Sequence, residues 1–224
     1  MCGRFAQQRP TAELAVLFEA EALVDDPGGH YNLAPTDPAA VVVERGDRRA
    51  ITTYRWGLVP FWSTDPRGAA RRINARAETV ATSPAYGDSY RRRRCIVPAD
   101  GFYEWQRDGV VRRPFFIRRR DGAPLALAGL WSGWRDPITD AIDRTFTILT
   151  TTANRSIARL HDRMPVILDP ADWARWLDPT TIDTGELHGL LRPAGDEPLE
   201  IVPVRPLVNN VRNDGLELIV PIAG

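Results

Sequence analysis

The stretch Ala39-Ala40-Val41-Val42-Val43-Glu44-Arg45-Gly46-Asp47-Arg48-Arg49-Ala50-Ile51-Thr52-Thr53-Tyr54-Arg55-Trp56 holds two strand signals, at residues 39–44 and 49–56. β-Branched and aromatic residues are frequent in both, which is typical of strands. Further strands are predicted at residues 95–98, 114–118, 125–131, 145–151 and 216–220, and helices at 12–22 and 170–177. Strands interrupted by helices without a βαβ rhythm predict an α+β fold. We expect one domain over residues 1–224, with a curved, mostly antiparallel, barrel-like sheet flanked by short helices.

The composition limits the class of protein. A chain of 224 residues with 43% hydrophobic content is ordinary for a soluble domain. The first twenty residues carry Glu13 and Glu19 and no signal-like apolar run, and no later stretch approaches the roughly 20 apolar residues of a membrane span. We therefore expect a cytoplasmic protein with no membrane partner. Cys2 and Cys95 are expected to be free thiols, Cys95 in a buried strand. No zinc-ligand spacing is present, so neither a metal nor another cofactor is predicted.

The charge is unevenly distributed along the chain. Residues 1–120 hold 20 arginines against 14 acidic residues, which leaves +6, and residues 121–224 hold 9 against 15, which leaves −6. The first half is therefore the expected anion-binding side. Its arginines cluster at residues 71–76, 91–94, 112–113 and 118–120. A run of charge also forms an ordinary solvated surface, so no single cluster identifies nucleic acid as the partner.

Cys2 is the first candidate catalytic residue. Removal of Met1 would expose an α-amine and a thiol on one residue, which can condense with an aldehyde to a Schiff base and then close a thiazolidine ring. All 29 basic residues are arginine. Covalent capture of an aldehyde needs a primary amine, and without lysine the α-amine is the only one available. Its ordinary pKa of about 7.7 to 8.0 leaves much of it neutral near pH 7.

Three further segments contain side chains suited to catalysis or binding. Asn74 could hold an amine or a sugar hydroxyl, and Arg76 could clamp a phosphate. Glu104 lies between aromatic residues, where a carboxylate is costly to desolvate unless it is paired or takes part in proton transfer. His161 could exchange a proton near neutral pH while Arg163 contacts phosphate. Each of these segments also has a purely structural interpretation.

Adjacent aromatic residues precede the first arginine cluster. Phe61 and Trp62 follow Trp56-Gly57-Leu58-Val59-Pro60 and lie shortly before residues 71–76. Aromatic rings interleaved with arginines suit single-stranded nucleic acid, since the rings stack on bases. Packing in the core is the alternative interpretation of both rings.

Taken in order, six motifs resemble the SOS response-associated peptidase (SRAP) family over nearly the whole chain. They are Cys2-Gly3-Arg4-Phe5, Tyr31-Asn32-Leu33-Ala34-Pro35, Trp56-Gly57-Leu58-Val59-Pro60, Ile73-Asn74-Ala75-Arg76-Ala77-Glu78-Thr79, Gly101-Phe102-Tyr103-Glu104-Trp105 and His161-Asp162-Arg163-Met164-Pro165. Each is weak alone, and together they are specific. The closing Asn210-Val211-Arg212-Asn213, followed by an expected strand, also fits.

The resemblance implies a sensor of abasic sites in single-stranded DNA that crosslinks to them through a thiazolidine with Cys2 and so shields the lesion. It also implies a self-processing peptidase that removes Met1, with abasic-site lyase activity as a further possibility. The implied catalytic residues are Cys2, Asn74, Glu104 and His161. The implied DNA contacts are Arg4, Arg76, Arg163, Phe61, Trp62 and Trp105. The implied partner is single-stranded DNA with abasic sites, and we expect a nucleoid-associated monomer.

Two other functional classes remain open. An N-terminal-nucleophile amidase or glutaminase also begins Met-Cys-Gly, although here position 4 is arginine and no Arg-Gly-Pro-Asp or Asn-Gly-Glu motif is present. A non-catalytic module that binds single-stranded or modified DNA would need none of the Cys2 chemistry. Release of ammonia from glutamine would identify the first class, and DNA affinity independent of Cys2 would identify the second.

Overall fold

A computed structural model describes residues 2–24, 28–109 and 111–222. Its strands are β1 (Phe5–Gln7), β2 (Ala20–Ala22), β3 (His30–Leu33), β4 (Pro38–Arg45), β5 (Arg48–Trp56), β6 (Asn74–Arg76), β7 (Arg94–Ala99), β8 (Gly101–Asp108), β9 (Val111–Arg119), β10 (Leu125–Arg135), β11 (Ile142–Thr152), β12 (Arg163–Pro165) and β13 (Leu199–Pro203). The α-helices are α1 (Thr11–Leu17), α2 (Gly87–Arg92), α3 (Trp173–Leu177) and α4 (Thr184–His188). Short 3₁₀ turns cover Pro66–Arg71, Ile157–Arg159, Pro170–Asp172, Pro206–Asn209 and Leu216–Leu218. None of the helices in these ranges is long and apolar enough to cross a membrane.

Five strands close a barrel in the order β11, β10, β7, β4 and β5. Their neighbours are antiparallel up to the closing pair, where β5 runs parallel to β11 with Arg55 opposite Thr145 and Trp56 opposite Phe146. Closure leaves no free edge among these five strands. The prediction of a mostly antiparallel, barrel-like α+β fold is confirmed.

A second sheet is antiparallel, in the order β13, β9, β8, β1 and β3. Its central strand β8 pairs with β9 from Phe102 to Asp108 and places Phe102 opposite Phe5 of β1. The short strand β1 is therefore held between β3 and β8. This pairing fixes the course of the N-terminal residues.

The barrel wall is buried on both faces. Val41 and Val43 pack with Trp56 in one apolar cluster, whereas Val42 between them belongs to another that contains Leu14 of α1 and Trp176 of α3. Because successive side chains of a strand point to opposite faces, a strand covered on both sides becomes a continuous apolar run, as Ala39–Val43 is. Each valine contributes roughly 1.5–3 kcal/mol when fully buried.

The helix predicted over residues 12–22 is wrong in its second half. Helix α1 ends at Leu17, Glu19 has a positive φ of 51°, and Ala20–Ala22 form β2 instead. Strand β2 runs parallel to β5, and the N–H of Leu23 continues this contact to the carbonyl of Ile51 at 3.0 Å. Pairing with β5 prevails over the helical spacing of Leu14, Leu17, Phe18 and Ala22 on which the prediction rested.

The strand predicted at residues 216–220, which was also expected after Asn213, is wrong. Leu216–Leu218 form one 3₁₀ turn, in which Leu218 is buried while Leu216 and Val220 are exposed. Alternation every second residue would have placed all three side chains on one face. The other predicted strands are present, with bounds extended by one to four residues at their ends, and residues 170–177 form a 3₁₀ turn followed by α3.

Candidate active site at the N-terminal cysteine

Cys2 lies completely buried, with 0% of its surface exposed, in the apolar cluster that contains Phe5 and Trp56. Its carbonyl oxygen accepts a hydrogen bond of 2.7 Å from Nδ2 of Asn74. Strand β1, paired on both sides, directs residue 2 to this position. The preceding residue, Met1, lies outside the described residues.

Burial raises the pKa of the Cys2 thiol far above its usual range, and the charge of Glu104 raises it further. The backbone N–H of Arg4 opposes this shift by a hydrogen bond to the sulfur. The thiol is therefore protonated at neutral pH, and a base must remove its proton before the sulfur can act as a nucleophile.

Glu104 is presented to Cys2 by β8. The strand is fixed against β1 by the hydrogen bond from the N–H of Tyr103 to the carbonyl of Arg4, at 3.0 Å, and on its other side Glu104 is opposite Phe115 of β9. Only 3% of Glu104 is exposed, although it is a carboxylic acid. A buried carboxyl beside a buried thiol is suited to proton exchange with that thiol.

Asn74 opens β6, which lies parallel to β11 with Asn74 opposite Ile148. Its amide is oriented by the bond to Cys2, because only Nδ2 can donate to a carbonyl oxygen. Oδ1 is buried and has no hydrogen-bond partner within the described part of the chain. The amide thus presents an unused acceptor next to residue 2.

His161 is connected to the Asn74 strand through β11. On one side, β11 pairs with β6, and further along it pairs with β12, in which Arg163 is opposite Thr152. The backbone N–H of Arg163 donates to Nδ1 of His161 at 2.9 Å. Nδ1 also lies 2.7 Å from Oδ1 of Asp162. The two contacts need opposite protonation of Nδ1; we assign the backbone bond, because the Asp162 side chain is 85% exposed and free to rotate. Neutral His161 then carries its proton on Nε2.

The guanidinium of Arg163 is held by the carboxylate of Glu78 and by the main chain of Thr150. Its Nη1 and Nη2 contact the two carboxylate oxygens of Glu78 at 2.6 and 2.9 Å, and Nη2 also donates to the carbonyl of Thr150 at 2.6 Å. The arginine hydrogen bond holds the pKa of Glu78 below its usual range. The two residues are 85 positions apart, so no local pattern in the sequence predicts their contact.

The other arginines proposed to contact DNA differ in their environment. Nη1 of Arg4 donates to Oδ1 of Asn32 at 2.7 Å and to the carbonyl of Val208 at 3.1 Å, and burial lowers the pKa of its guanidinium. Asn32 in turn donates to the carbonyl of Asn213 at 2.8 Å. Arg4 therefore holds the C-terminal segment against β1 and β3. Arg76, on β6, is exposed.

Two of the three proposed aromatic contacts are on the surface. Phe61 and Trp62 are each 54% exposed, and the guanidinium carbon of Arg93 lies 5.5 Å from the centre of the Phe61 ring. Trp105 is half-buried and donates from Nε1 to Oδ1 of Asn209 at 2.7 Å. The core interpretation is thus wrong for Phe61 and Trp62, each of which exposes about half of its surface.

A separate surface cavity of about 790 Å³ lies beside α3 and the turn between β4 and β5. Acidic side chains, among them Glu19, Glu44 and Asp178, line much of it. It contains none of the candidate catalytic residues. Within the described ranges, no group of His, Cys, Asp and Glu is arranged to hold a metal ion.

The structure therefore brings Cys2, Asn74 and Glu104 together, with Cys2 and Glu104 buried and Asn74 half-buried, and connects His161 to them through β11. Glu78 and Asn32 are the residues that sequence reasoning left without a role. Their partners, Arg163 and Arg4, are distant along the chain, so only the family motifs that contain Glu78 and Asn32 marked them at all.

Comparison with known proteins gives a consistent result. The model of the family described as SOS response associated peptidase (SRAP) matches residues 1–211. Abasic site processing protein YoqW of Bacillus subtilis (strain 168) is 35% identical over 222 residues, which cover 98% of this chain and 99% of that protein. Abasic site processing protein YedK of Escherichia coli (strain K12) is 33% identical over 230 residues, with 99% and 100% covered. A crystal structure of a protein from Bacteroides thetaiotaomicron has the same fold, with a TM-score of 0.88 at 22% identity over 99% of this chain and 100% of that one. The chain belongs to the SOS response associated peptidase family.

Proposed function

We propose that this protein processes abasic sites in single-stranded DNA and crosslinks to them through Cys2. Two relatives that match almost the whole chain are named abasic site processing proteins. The observation that carries the proposal is the hydrogen bond from Asn74 to the carbonyl of Cys2, made where the buried carboxyl of Glu104 adjoins the thiol. The crosslink would protect the lesion, because an open abasic aldehyde otherwise loses its 3′ phosphate by β-elimination.

The chemistry needs no oxidant or external catalyst. After Met1 is removed, the α-amine of Cys2 adds to C1′ of the ring-opened sugar, and loss of one water gives the imine. The sulfur then adds to the imine carbon while the thiol proton passes to the nitrogen, which closes the thiazolidine. The products are the adduct and water. The absence of lysine makes the α-amine the only primary amine that can take part.

Of the four proposed catalytic residues, one acts as the nucleophile and the other three position groups or transfer protons. Asn74 holds the main chain of Cys2 through Nδ2, and its unused Oδ1 can accept a hydrogen bond from the α-amine. Glu104 takes the thiol proton and returns protons during opening of the sugar and reversal of the crosslink. His161, with its proton on Nε2, donates to the sugar or its 3′ phosphate.

DNA would be held by arginine and aromatic side chains around this cluster. Arg76 and the remaining donors of Arg4 and Arg163 would contact backbone phosphates. The exposed rings of Phe61 and Trp62 would stack on bases beside the lesion, with Trp105 nearer the site.

Removal of Met1 by the chain itself is a further part of the proposal. Hydrolysis of the bond before Cys2 could use the same thiol, amide and carboxyl, with water as the second reactant. The crosslink requires that Met1 is absent from the mature protein, and self-processing would remove it. Mass spectrometry of the purified protein shows whether Met1 is absent. Active protein that retained Met1 would contradict the amine chemistry outright.

The decisive experiment is a denaturing gel of the protein incubated with single-stranded DNA that carries one abasic site. We expect a band shifted by the mass of the protein, lost in Cys2→Ala and retained in the matched control Cys95→Ala, because Cys95 is also buried but lies in β7. No shifted band with wild-type protein would refute the proposal. An undiminished band from Cys2→Ala would assign the linkage to another group.

A further inference from the structure

The ion pair between Glu78 and Arg163 lies at the edge of the proposed site. Arg163 is 12% exposed, and Glu78 contacts both of its terminal nitrogens. The carbonyl of Thr150 takes a third N–H, and Nε is buried with no partner within the described residues. Of the five N–H groups of the guanidinium, one on Nη1 remains for a DNA phosphate.

The same pair joins the segments that carry Asn74 and His161. The carbonyl of Thr150 accepts hydrogen bonds from the N–H of Ala77 at 2.9 Å and from Nη2 of Arg163 at 2.6 Å. Glu78 follows Ala77, and Arg163 is the residue whose N–H fixes His161. Through Arg163, the carboxylate of Glu78 therefore restrains the turn that orients the histidine ring.

The ion pair between Glu78 and Arg163 also affects how strongly the protein attracts DNA. The pKa of Glu78 is lowered by its bond to Arg163, so the carboxylate stays ionised at neutral pH and cancels the arginine charge. Attraction to intact single-stranded DNA depends on how many phosphates are neutralised by cations. An arginine already neutralised by a carboxylate adds little to that attraction.

We propose that Glu78 is a positioning and specificity-determining residue, which withholds the charge of Arg163 from undamaged DNA and holds Arg163 so that His161 is oriented for the reaction. The inference rests on the proposed function for its substrate. It assigns to Glu78 two effects of opposite sign: weaker binding of intact DNA and faster crosslinking of the lesion.

The test is Glu78→Gln, which keeps the size of the side chain and removes its charge. With an intact single-stranded oligonucleotide, we expect binding by fluorescence anisotropy to tighten about three- to tenfold at low salt. The slope of log K against log salt should steepen by about 0.7, the value for one additional phosphate neutralised. With the abasic oligonucleotide at saturation, the crosslinking rate should fall at least several-fold.

Glu200→Gln is the matched control. Glu200 pairs with Arg118 at 2.6 Å in strands β13 and β9, and its removal changes the net charge by the same amount. We expect neither effect from this variant. Glu78→Asp, which restores the charge, should return the salt slope to the wild-type value, and thermal unfolding of each variant checks that it is folded.

Two results would overturn the inference. In Glu78→Gln, an unchanged salt slope on intact DNA would show that Arg163 is not withheld by Glu78. An unchanged crosslinking rate at saturation would show that the pair does not position His161. If wild-type protein formed no crosslink, the proposed function would fail by itself, and the measurement on intact DNA would still decide whether Glu78 controls Arg163.

Discussion

Arg94 belongs to the basic run Arg91–Arg94 but lies inside the molecule. Its replacement therefore tests whether an arginine of such a run stabilises the fold. Its guanidinium donates to four backbone carbonyls, those of Tyr90, Arg91, Trp176 and Asp178. Two of these carbonyls belong to the last turn and end of α3, and the other two belong to α2. Replacement by methionine keeps most of the apolar stem but leaves all four acceptors without this donor.

The expected loss follows from these bonds. At about 1 kcal/mol of net stability for each hydrogen bond, Arg94→Met should cost about 4 kcal/mol. For a chain of this size, that free energy corresponds to a fall in Tm of roughly 8–16 °C. Because the free energy of unfolding of whole domains is only about 5–15 kcal/mol, the variant should be only marginally stable.

Urea unfolding followed by circular dichroism measures this loss, with Arg92→Met as the control. Arg92 stands two residues earlier, at the exposed end of α2, and its replacement should change the free energy of unfolding by less than about 0.5 kcal/mol. If Arg94→Met were within 1 kcal/mol of Arg92→Met, water would be replacing the arginine at the carbonyls, and our account of this residue would be refuted.

Three further predictions concern the thiols, the exposed rings and the buried carboxyl. Burial raises the pKa of the thiols of Cys2 and Cys95. The stability that the two protonated thiols contribute is therefore complete below the unfolded thiol pKa of about 8.5 and is lost as pH rises above it. Urea unfolding should show a lower free energy of unfolding at pH 10 than at pH 8 for wild type, and a smaller fall for Cys95→Ala. Phe61→Ala and Trp62→Ala should each weaken binding to single-stranded DNA by about 1–3 kcal/mol without lowering Tm appreciably, and unchanged affinity in anisotropy titrations would remove these rings from the DNA surface. Glu104→Gln should slow formation or reversal of the crosslink in time-resolved denaturing gels while the protein stays folded, and unchanged kinetics in both directions would exclude Glu104 from proton transfer.

The fold was predictable where local patterns and tertiary contacts agree. Residues 39–44 and 49–56 are strands in the structure because their β-branched and aromatic side chains are buried on both faces of the barrel wall. The predicted helix fails at Glu19 because the following residues pair with β5, a contact to residues about 30 positions later. Periodicity within a short window contains no information about such a partner.

Local sequence patterns likewise do not predict the contacts between distant residues that form the candidate site. The aminothiol chemistry of Cys2 follows from the residue itself and from the absence of lysine, whereas its contact with Asn74, 72 residues away, does not. The run Arg91–Arg94 is one of the basic clusters of the sequence, for which a solvated surface was the ordinary interpretation. Arg91 and Arg92 face solvent, but Arg93 pairs with Asp88, and Arg94 is buried. Which arginines face solvent is decided by carbonyls and carboxylates from other parts of the chain.

The pairing of β1 has a consequence for the order of events during synthesis. The strand that covers β1 on one side is β8, nearly a hundred residues later, and Asn74 also follows long after β1. Both segments are therefore synthesised well after Cys2, so the cluster of Cys2, Asn74 and Glu104 cannot form on the early nascent chain. If the protein's own site removes Met1, as proposed, cleavage must wait until β8 is made and packed, whereas an aminopeptidase needs none of these contacts.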